Sequence, residues 1–185
     1  MELERDDRRK GLAVTDGLTK ATLTVAWVII LNKPFYPLYV WYLIDAGAAK
    51  ASLVTLLSVP FFLAIPLLAK RSHLAARLAL PLVGTLDTLF ETAIFGHPSG
   101  TEFFFAACIM LAALSFHAQE KLWQYAIAIF VFIAFVCSRT YLGAALQSWS
   151  ADDLATLLNL NAFSAASLMA FIALRYAGLS RRNET

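Results

Sequence analysis

The sequence predicts an all-α, polytopic membrane protein folded as a six-transmembrane-helix bundle. Of its 185 residues, 59% are hydrophobic and only 15% are charged, whereas a soluble domain carries about 25% charged residues. The charges cluster in short stretches that are separated by apolar blocks of roughly 20 residues, the length that crosses the hydrocarbon core of a bilayer as a helix. The expected surroundings of the protein are therefore a lipid bilayer.

Six spans follow one another along the chain, at about 21–44, 51–69, 75–96, 101–118, 122–144 and 153–177. The predicted turns are IDAGAAK, GHPSG and QSWSADD on one side of the membrane, and AKRSH and HAQEK on the other. Turns this short join antiparallel neighbours. The predicted organisation is an N-terminal segment 1–20, a transmembrane domain 21–178 and a tail 179–185.

The basic residues orient the bundle. Twelve of the fifteen Lys and Arg residues lie on the side that holds both termini, and only Lys50 belongs to the opposite loops. By the positive-inside rule, both termini are predicted to be cytoplasmic. Orientation thus accounts for the basic residues, and no nucleic-acid partner is expected. A P-loop, a zinc-type Cys/His cluster and a nucleophile elbow are all absent from the sequence, so no catalytic site is predicted in this chain.

Four ionisable residues fall inside the spans: Lys33, Asp87, Glu91 and Arg139. Such residues are rare at this depth and usually pair inside the bundle. At about 1.5 Å per residue, Lys33 lies level with Asp87, and Arg139 lies level with Glu91. The sequence therefore predicts two ion pairs, Lys33–Asp87 and Arg139–Glu91. Either these pairs only hold spans 1, 3 and 5 together, or they line a polar cavity.

The cavity hypothesis draws on further polar side chains in the outer halves of the spans. Two asparagines of span 6 lie too deep for an interfacial belt. Pro34 and Pro37 remove backbone donors from the middle of span 1, and a kink beside buried charges would open space for a ligand. The predicted ligand cavity comprises Lys33, Tyr36, Tyr39, Asp87, Glu91, Glu102, Arg139, Asn159 and Asn161.

The stretch GHPSGTE predicts a turn that opens span 4. Ser99 or Thr101 is the candidate N-cap, and Glu102 in the first turn would interact favourably with the helix dipole. For Glu102 this capping role is the alternative to a place in the cavity. His97, at the outer rim, is a ligand, a pH-sensitive group or an exposed loop residue.

The three histidines, His73, His97 and His117, are candidate ligands of a haem b. A six-coordinate haem between helices takes two axial imidazoles at one depth. His73 begins span 3 and His117 ends span 4, so these two could share an iron; the alternative for His73 is a solvated side chain in a basic run. His97 lies at the opposite face and would need a partner from a second chain or another ligand type. His97 and His117 are the candidate metal ligands.

Three motifs carry a resemblance to a known family: NKPFYPLYVWYL in span 1, SVPFFLAIPLLAKR in span 2, and FGHPSGTEFFFAACIMLAALSF through spans 3 and 4. They resemble the six-helix membrane domains that precede class III nucleotide cyclase catalytic domains in bacteria, over roughly the first two-thirds of the chain. The resemblance implies a receptor or redox sensor in the bacterial cytoplasmic membrane, with haem b in some relatives. It also implies a homodimer and an adenylate cyclase domain following RYAGLSRRNET.

The sequence therefore predicts a sensory or regulatory membrane domain that transmits a stimulus through span 6 to a cytoplasmic output domain. Two alternatives belong to other functional classes. One is a stand-alone haem b protein that exchanges electrons with quinone, which requires an axial histidine pair. The other is a small transporter with the four buried charges along its path, and the missing internal repeat argues against it.

Overall fold

The structure, a computed structural model, describes residues 16–180, which are helical almost throughout and contain no β-strand. Five helical segments are long and apolar enough to cross a membrane, and a sixth is apolar but shorter. We number them in chain order as span 1 to span 6: Gly17–Leu43, Ala46–Ala69, His73–Phe95, Thr101–Leu114, Ala118–Tyr141 and Ala151–Leu179. The predicted terminal segments 1–20 and 179–185 fall largely on residues 1–15 and 181–185, outside the described residues.

Span 1 is interrupted at its two prolines. It consists of the α-helix Gly17–Asn32, a 3-10 turn Lys33–Phe35 and the α-helix Tyr36–Leu43. Each proline lacks the N–H that an α-helix needs for its i to i−4 hydrogen bond, so the chain tightens locally into a 3-10 turn. The predicted irregularity in the middle of span 1 is present, and Lys33 lies at its first residue.

Span 2 begins earlier than predicted because Asp45 caps it. The Asp45 carboxylate accepts a hydrogen bond of 2.7 Å from the backbone N–H of Ala48, which starts a helix within the predicted turn 44–50. The span then consists of the α-helix Ala46–Ser52, the 3-10 helix Leu53–Ser58 and the α-helix Val59–Ala69.

The middle of the connection between spans 3 and 4, residues 99–101, is buried inside the bundle, whereas Pro98 and Phe103 are exposed. Span 3 is one α-helix, His73–Phe95, after which Gly96 and Gly100 adopt positive φ angles of 80° and 76°. Glycine reaches these conformations without the steric cost of a Cβ atom. The connection forms 3-10 turns at His97–Ser99 and Thr101–Phe103, and the α-helix Phe104–Leu114 follows. Ser99 and Thr101 are fully buried.

The predicted capping roles of Ser99 and Thr101 are wrong. The N-cap positions belong to Gly100 and Phe103. The Ser99 hydroxyl instead donates to the Gly96 carbonyl at 2.6 Å, and the Thr101 hydroxyl donates to that of Thr92 at 3.1 Å. Because the backbone enters the bundle here, these hydroxyls are used for tertiary contacts rather than for a helix terminus.

Span 4 is shorter than the predicted 101–118. Its residues Thr101–Leu114 rise about 21 Å, less than the ~30 Å hydrocarbon core. The helix ends where Ser115 turns its hydroxyl to the Tyr176 hydroxyl at 2.9 Å, and Tyr176 in turn contacts the Thr22 hydroxyl at 2.9 Å. These contacts connect spans 1, 4 and 6.

Spans 5 and 6, like span 3, each contain one long uninterrupted α-helix. Span 5 consists of the 3-10 turn Ala118–Glu120 and the α-helix Lys121–Tyr141, and span 6 is the α-helix Ala151–Ser180. Ser150 and Asp153 exchange hydrogen bonds of 3.1 Å between side chain and backbone. This reciprocal arrangement caps span 6 in the manner of a capping box.

The segment 142–150 folds back over the end of span 3. The Leu146 N–H donates to the Ala93 carbonyl at 3.0 Å, and the Trp149 ring stacks on Phe95 with the ring centroids 5.4 Å apart. This end of the bundle, which includes Asp45, Gly96 and Trp149, is called the distal end. The opposite end, where Gly17 lies against Leu179, is called the proximal end.

The exterior of the bundle is apolar. Leu31, Phe61, Leu122 and Leu174 are each more than 60% exposed, while Val25, Phe62, Leu80 and Ile172 fill the interior. A soluble monomer rarely exposes so much contiguous apolar surface. The exposed apolar helices are consistent with a lipid bilayer as the surroundings of this protein.

A candidate ligand cavity beside a buried ion cluster

Lys33 lies between two carboxylates of span 3. Its Nζ is 2.6 Å from Asp87 Oδ2 and 2.7 Å from Glu91 Oε1. Asp87 and Glu91 are four residues apart and therefore share one face of the helix. We call Lys33, Asp87 and Glu91 the Lys33 cluster. The predicted Lys33–Asp87 pair is confirmed, and Glu91 joins it.

The Lys33 cluster is largely withdrawn from the surface. The three side chains are 11%, 10% and 14% exposed, respectively. Lys33 Nζ also donates to the Thr55 carbonyl at 3.3 Å and lies 5.7 Å from the centroid of the Phe62 ring. With all three groups ionised, the cluster carries one excess negative charge.

A cavity of about 640 Å³ opens beside the cluster. Its size falls in the range of small-molecule pockets, about 300–1,000 Å³, and its walls are mostly apolar, as is usual for such pockets. Spans 1, 2, 3, 4 and 6 all contribute to it. The structure brings six of the predicted cavity residues to its lining: Lys33, Tyr36, Tyr39, Asp87, Glu91 and Asn161.

Tyr36 and Asn161 supply neutral polar groups to the lining. Asn161 is fully buried, and its Nδ2 donates to the Ser99 carbonyl at 2.9 Å. The Tyr36 ring meets Phe95 edge to face at 6.0 Å. Its hydroxyl is buried and has no hydrogen-bond partner within the described part of the chain. A buried hydroxyl without a partner costs about 1–3 kcal/mol.

Asn159 does not line the cavity, contrary to the prediction. Its side chain is exposed, whereas that of Asn161 is buried. Residues two positions apart on an α-helix point in directions about 200° apart, so two such asparagines cannot face the same cavity. The two residues lie at similar depths along span 6, but only the side chain of Asn161 points toward the cavity.

The predicted Arg139–Glu91 pair is wrong. Arg139 pairs with Glu102, and Glu102 also lies 3.1 Å from His97 Nδ1. Glu91 faces span 1, while the face of span 3 that carries Leu82 and Leu89 packs against spans 4 and 5. Counting residues gives the height of a side chain but not its direction. His97, Glu102 and Arg139 thus form a distal ion cluster, and neither Glu102 nor Arg139 lines the cavity.

A second buried ion cluster lies at the proximal end, around Asp16. The Asp16 carboxylate accepts hydrogen bonds from the Thr19 N–H at 2.7 Å and from Arg77 Nη1 at 2.8 Å. Arg77 is 3% exposed, and its Nη2 donates to Glu120 Oε1. We call Asp16, Arg77 and Glu120 the Arg77 cluster. It ties span 3 to the beginnings of spans 1 and 5.

The histidines of the haem hypothesis lie at both ends of the bundle. His73 Nδ1 is 3.3 Å and His117 Nε2 is 3.9 Å from the Asp16 carboxylate, so these two converge at the proximal end. His97 is at the distal end, so within one chain it shares no site with His117. Among residues 16–180, no group of three or more His, Cys, Asp or Glu side chains is arranged to hold a metal ion. Haem binding by His73 and His117 stays a prediction.

Acidification is expected to destabilise the proximal end through Asp16. Burial raises the pKa of Asp16, but the hydrogen bonds from Thr19, and the charges of Arg77 and His117, outweigh it and leave the pKa below the ordinary value of 3.8. A lowered carboxyl pKa stabilises the fold above the ordinary value, and this contribution is lost as the pH falls through the folded-state pKa. We expect the thermal unfolding midpoint to fall as the pH drops below about 4.

Asp16→Asn is the matched variant for this pH dependence, because asparagine still caps the helix but does not titrate. The variant is expected to be less stable than the wild type at neutral pH and to lose less of its stability between pH 5 and pH 3. Identical slopes for the two proteins would contradict the assignment to Asp16.

Several lining residues were not among those predicted from the sequence. The polar ones include Asn32, Thr55, Thr88, Ser164 and Ser167, and the apolar ones include Leu168 and Phe171. Ser164, Leu168 and Phe171 follow Asn161 at intervals of three, seven and ten residues, the spacing of one helix face. Extending this helical periodicity from Asn161 would have identified these three residues from the sequence.

Comparison with known proteins gives no match: no protein-family model, no curated protein and no solved structure is significantly similar to the chain. The resemblance to the membrane domains of class III cyclases has no support from these comparisons and stays a hypothesis.

Proposed function

We propose that this chain is a membrane-integral sensory domain that binds a small ligand in the cavity beside the Lys33 cluster. The observation that carries the proposal is the placement of Lys33, Asp87 and Glu91 at the wall of a cavity of about 640 Å³. Charged groups are costly within a membrane and mark functional sites there. An ion cluster that only joined two helices would need no ligand-sized space beside it.

The topology proposed for this domain has six crossings with both termini in the cytoplasm. Span 3 ends at the distal end and span 5 begins at the proximal end, so the intervening residues return across the bundle although span 4 is short. The connection 96–103 supplies the remaining length. The excess of Lys and Arg toward the proximal end supports its cytoplasmic placement.

Span 6 is the proposed transmitting element. It lines the cavity with Asn161 and Ser164, and about three turns further on Tyr176 contacts the hydroxyls of Thr22 and Ser115. A ligand that separates spans 1 and 6 would disturb the Tyr176 contacts at the proximal end. It can shift the equilibrium only if it binds the two arrangements with different affinities.

On the resemblance of spans 1 to 4, we further propose a homodimer in a bacterial cytoplasmic membrane that regulates an adenylate cyclase domain. Movement of span 6 against its dimer mate would then be the output signal. Because the catalytic sites of class III cyclases form between two chains, relative movement of the two chains is the proposed means of control.

A distance measurement tests the proposed transmission. Spin labels at Leu122→Cys and Leu174→Cys, in a Cys137→Ala background, report the separation of spans 5 and 6 at the proximal end in nanodiscs. Both leucines are exposed. We expect a lipophilic probe such as dodecylamine or dodecanol to shift the distance distribution, and Ser164→Trp, which fills the cavity, to abolish the shift.

Ser164→Ala is the control, because it changes the same position without filling the cavity. A probe that raises the unfolding midpoint of the wild type but not of Ser164→Trp, and leaves the distances unchanged, would contradict a sensory role and leave a binding site only.

A further inference from the structure

We infer that the cavity binds an amphipathic amine, whose ammonium group is held by Asp87 and Glu91 and whose apolar chain lies between spans 1 and 6. This inference rests on the proposed function and names the ligand class of the same site. Neither the resemblance nor the sequence-based hypotheses identified a ligand.

The charge of the Lys33 cluster selects a cation. Two carboxylates face one ammonium group, and each of the three side chains is at most 14% exposed. An ammonium group has three N–H donors. Lys33 directs them at Asp87, Glu91 and the Thr55 carbonyl, all of which are acceptors. With both carboxylates ionised, an anion would be repelled by the remaining charge, whereas an ammonium ligand would compensate it.

The cluster also has unused acceptors. Lys33 approaches both oxygens of Asp87 but only Oε1 of Glu91. Glu91 Oε2 receives no hydrogen bond from the described residues, although a carboxylate oxygen can accept two. Tyr36 belongs to the lining of the same cavity, but its hydroxyl oxygen is itself buried. A protonated primary amine, with its three donors, complements the free oxygen of Glu91.

The remaining walls favour an apolar body over a hydrated metal ion. Val28, Leu160, Leu168 and Phe171 belong to the lining. Hard cations such as Ca²⁺ and Mg²⁺ require about six or more oxygen ligands, whereas the walls are mostly apolar and no group of three or more His, Cys, Asp or Glu side chains within residues 16–180 is arranged to hold a metal ion. An alkyl chain, by contrast, would bury its apolar surface against these side chains.

The mouth of the cavity lies on the lipid-facing surface between spans 1 and 6. Tyr39, Tyr42 and Phe163 all line the cavity, yet are 44%, 86% and 76% exposed. Aromatic faces attract cations, so these rings suit the passage of an ammonium group. A ligand would enter from the bilayer with its head group directed toward the cluster.

Binding of three probes that share a dodecyl chain tests this inference. Dodecylamine, dodecanol and dodecanoate are titrated into the protein in phosphatidylcholine nanodiscs, and apparent Kd values are taken from the rise of the thermal unfolding midpoint. We expect dodecylamine to bind at least about tenfold more tightly than dodecanol, and dodecanoate to bind most weakly, a tenfold ratio being about 1.4 kcal/mol.

Glu91→Gln is the decisive variant, because it removes the excess charge and keeps the Lys33–Asp87 pair. We expect it to weaken dodecylamine binding about tenfold while dodecanol binding changes less than about twofold. Glu102→Gln is the matched control at the distal end, outside the cavity, and is expected to change neither. If Glu91→Gln fails to fold, Asp87→Asn provides the same loss of one charge beside Lys33.

The outcomes separate the two proposals. Equal affinities for the three probes, each lost in Ser164→Trp, would overturn the amine inference and leave the ligand cavity in place. Tight dodecylamine binding that neither Glu91→Gln nor Asp87→Asn weakens would also overturn the inference. Binding of no probe, or binding that Ser164→Trp does not affect, would overturn the proposed function itself.

Discussion

Lys33→Met is expected to destabilise the protein by about 3–5 kcal/mol, the typical cost of removing one partner from a buried ion pair. The substitution leaves Asp87 and Glu91 facing each other without their counter-ion, about nine-tenths buried. It also removes one of the two side-chain donors to the Thr55 carbonyl, the other being the Ser58 hydroxyl. The free energy of unfolding, measured in mixed detergent micelles, checks this value.

Lys20→Met is the matched control for Lys33→Met, because Lys20 lies in the same span and is exposed. It is expected to change the unfolding free energy by no more than about 0.5 kcal/mol. A loss of less than about 1 kcal/mol in Lys33→Met would show that the two carboxylates do not depend on Lys33 for compensation.

The triple variant Lys33→Met, Asp87→Leu, Glu91→Leu separates stability from function. Replacing a whole buried ion cluster by apolar residues is often neutral or stabilising. We therefore expect the triple variant to recover most of the stability that Lys33→Met loses, yet to bind dodecylamine no better than dodecanol. Recovery of stability with loss of binding would indicate that the cluster is kept for its ligand.

Arg77→Met is expected to have the second-largest effect, about 2–4 kcal/mol. Arg77 is almost fully buried, whereas its partners Asp16 and Glu120 are 27% and 20% exposed. Water can therefore screen the two stranded carboxylates in part, which sets the expected loss below that for Lys33→Met. The unfolding free energy measured under the same conditions gives the comparison.

Arg77→Lys is expected to recover only part of this stability. A lysine carries a single ammonium group and cannot reach two carboxylates with the fork geometry of a guanidinium group. Arg71→Met, at an exposed position close by, serves as the control and is expected to be nearly neutral. Full recovery by Arg77→Lys would contradict the bridging role assigned to the guanidinium group.

The sequence predicted the helical, membrane-compatible fold because composition and the lengths of apolar blocks are sufficient for that purpose. It predicted the Lys33–Asp87 pair because counting residues from the helix ends gives the depth of each side chain in the membrane, and the two depths agree. The same counting failed for Arg139 and Glu91, since two residues at one height can face opposite sides of a helix. The i, i+4 spacing places Glu91 on the face of Asp87, but it does not show that span 5 packs on the other face of span 3, which carries Leu82 and Leu89.

Other features depend on tertiary structure that no local pattern encodes. The burial of Ser99 and Thr101 requires two glycines with positive φ angles and an asparagine from a span about 60 residues further along the chain. The glycines and the proline of GHPSG predicted that the helix breaks there. They did not predict that the chain enters the bundle after the break. The early end of span 4 likewise follows from the contact between Ser115 and Tyr176.

The connection 96–103, in which residues 99–101 are buried, affects the biogenesis of the protein. Irregular backbone at membrane depth is stable only where protein covers it, and the Ser99 carbonyl is covered by Asn161 of span 6. During synthesis, the hairpin of spans 3 and 4 leaves the ribosome long before Asn161 does. We expect the first four helices to remain loosely assembled in the insertion machinery, and native packing to be completed only after the sixth helix has been translated.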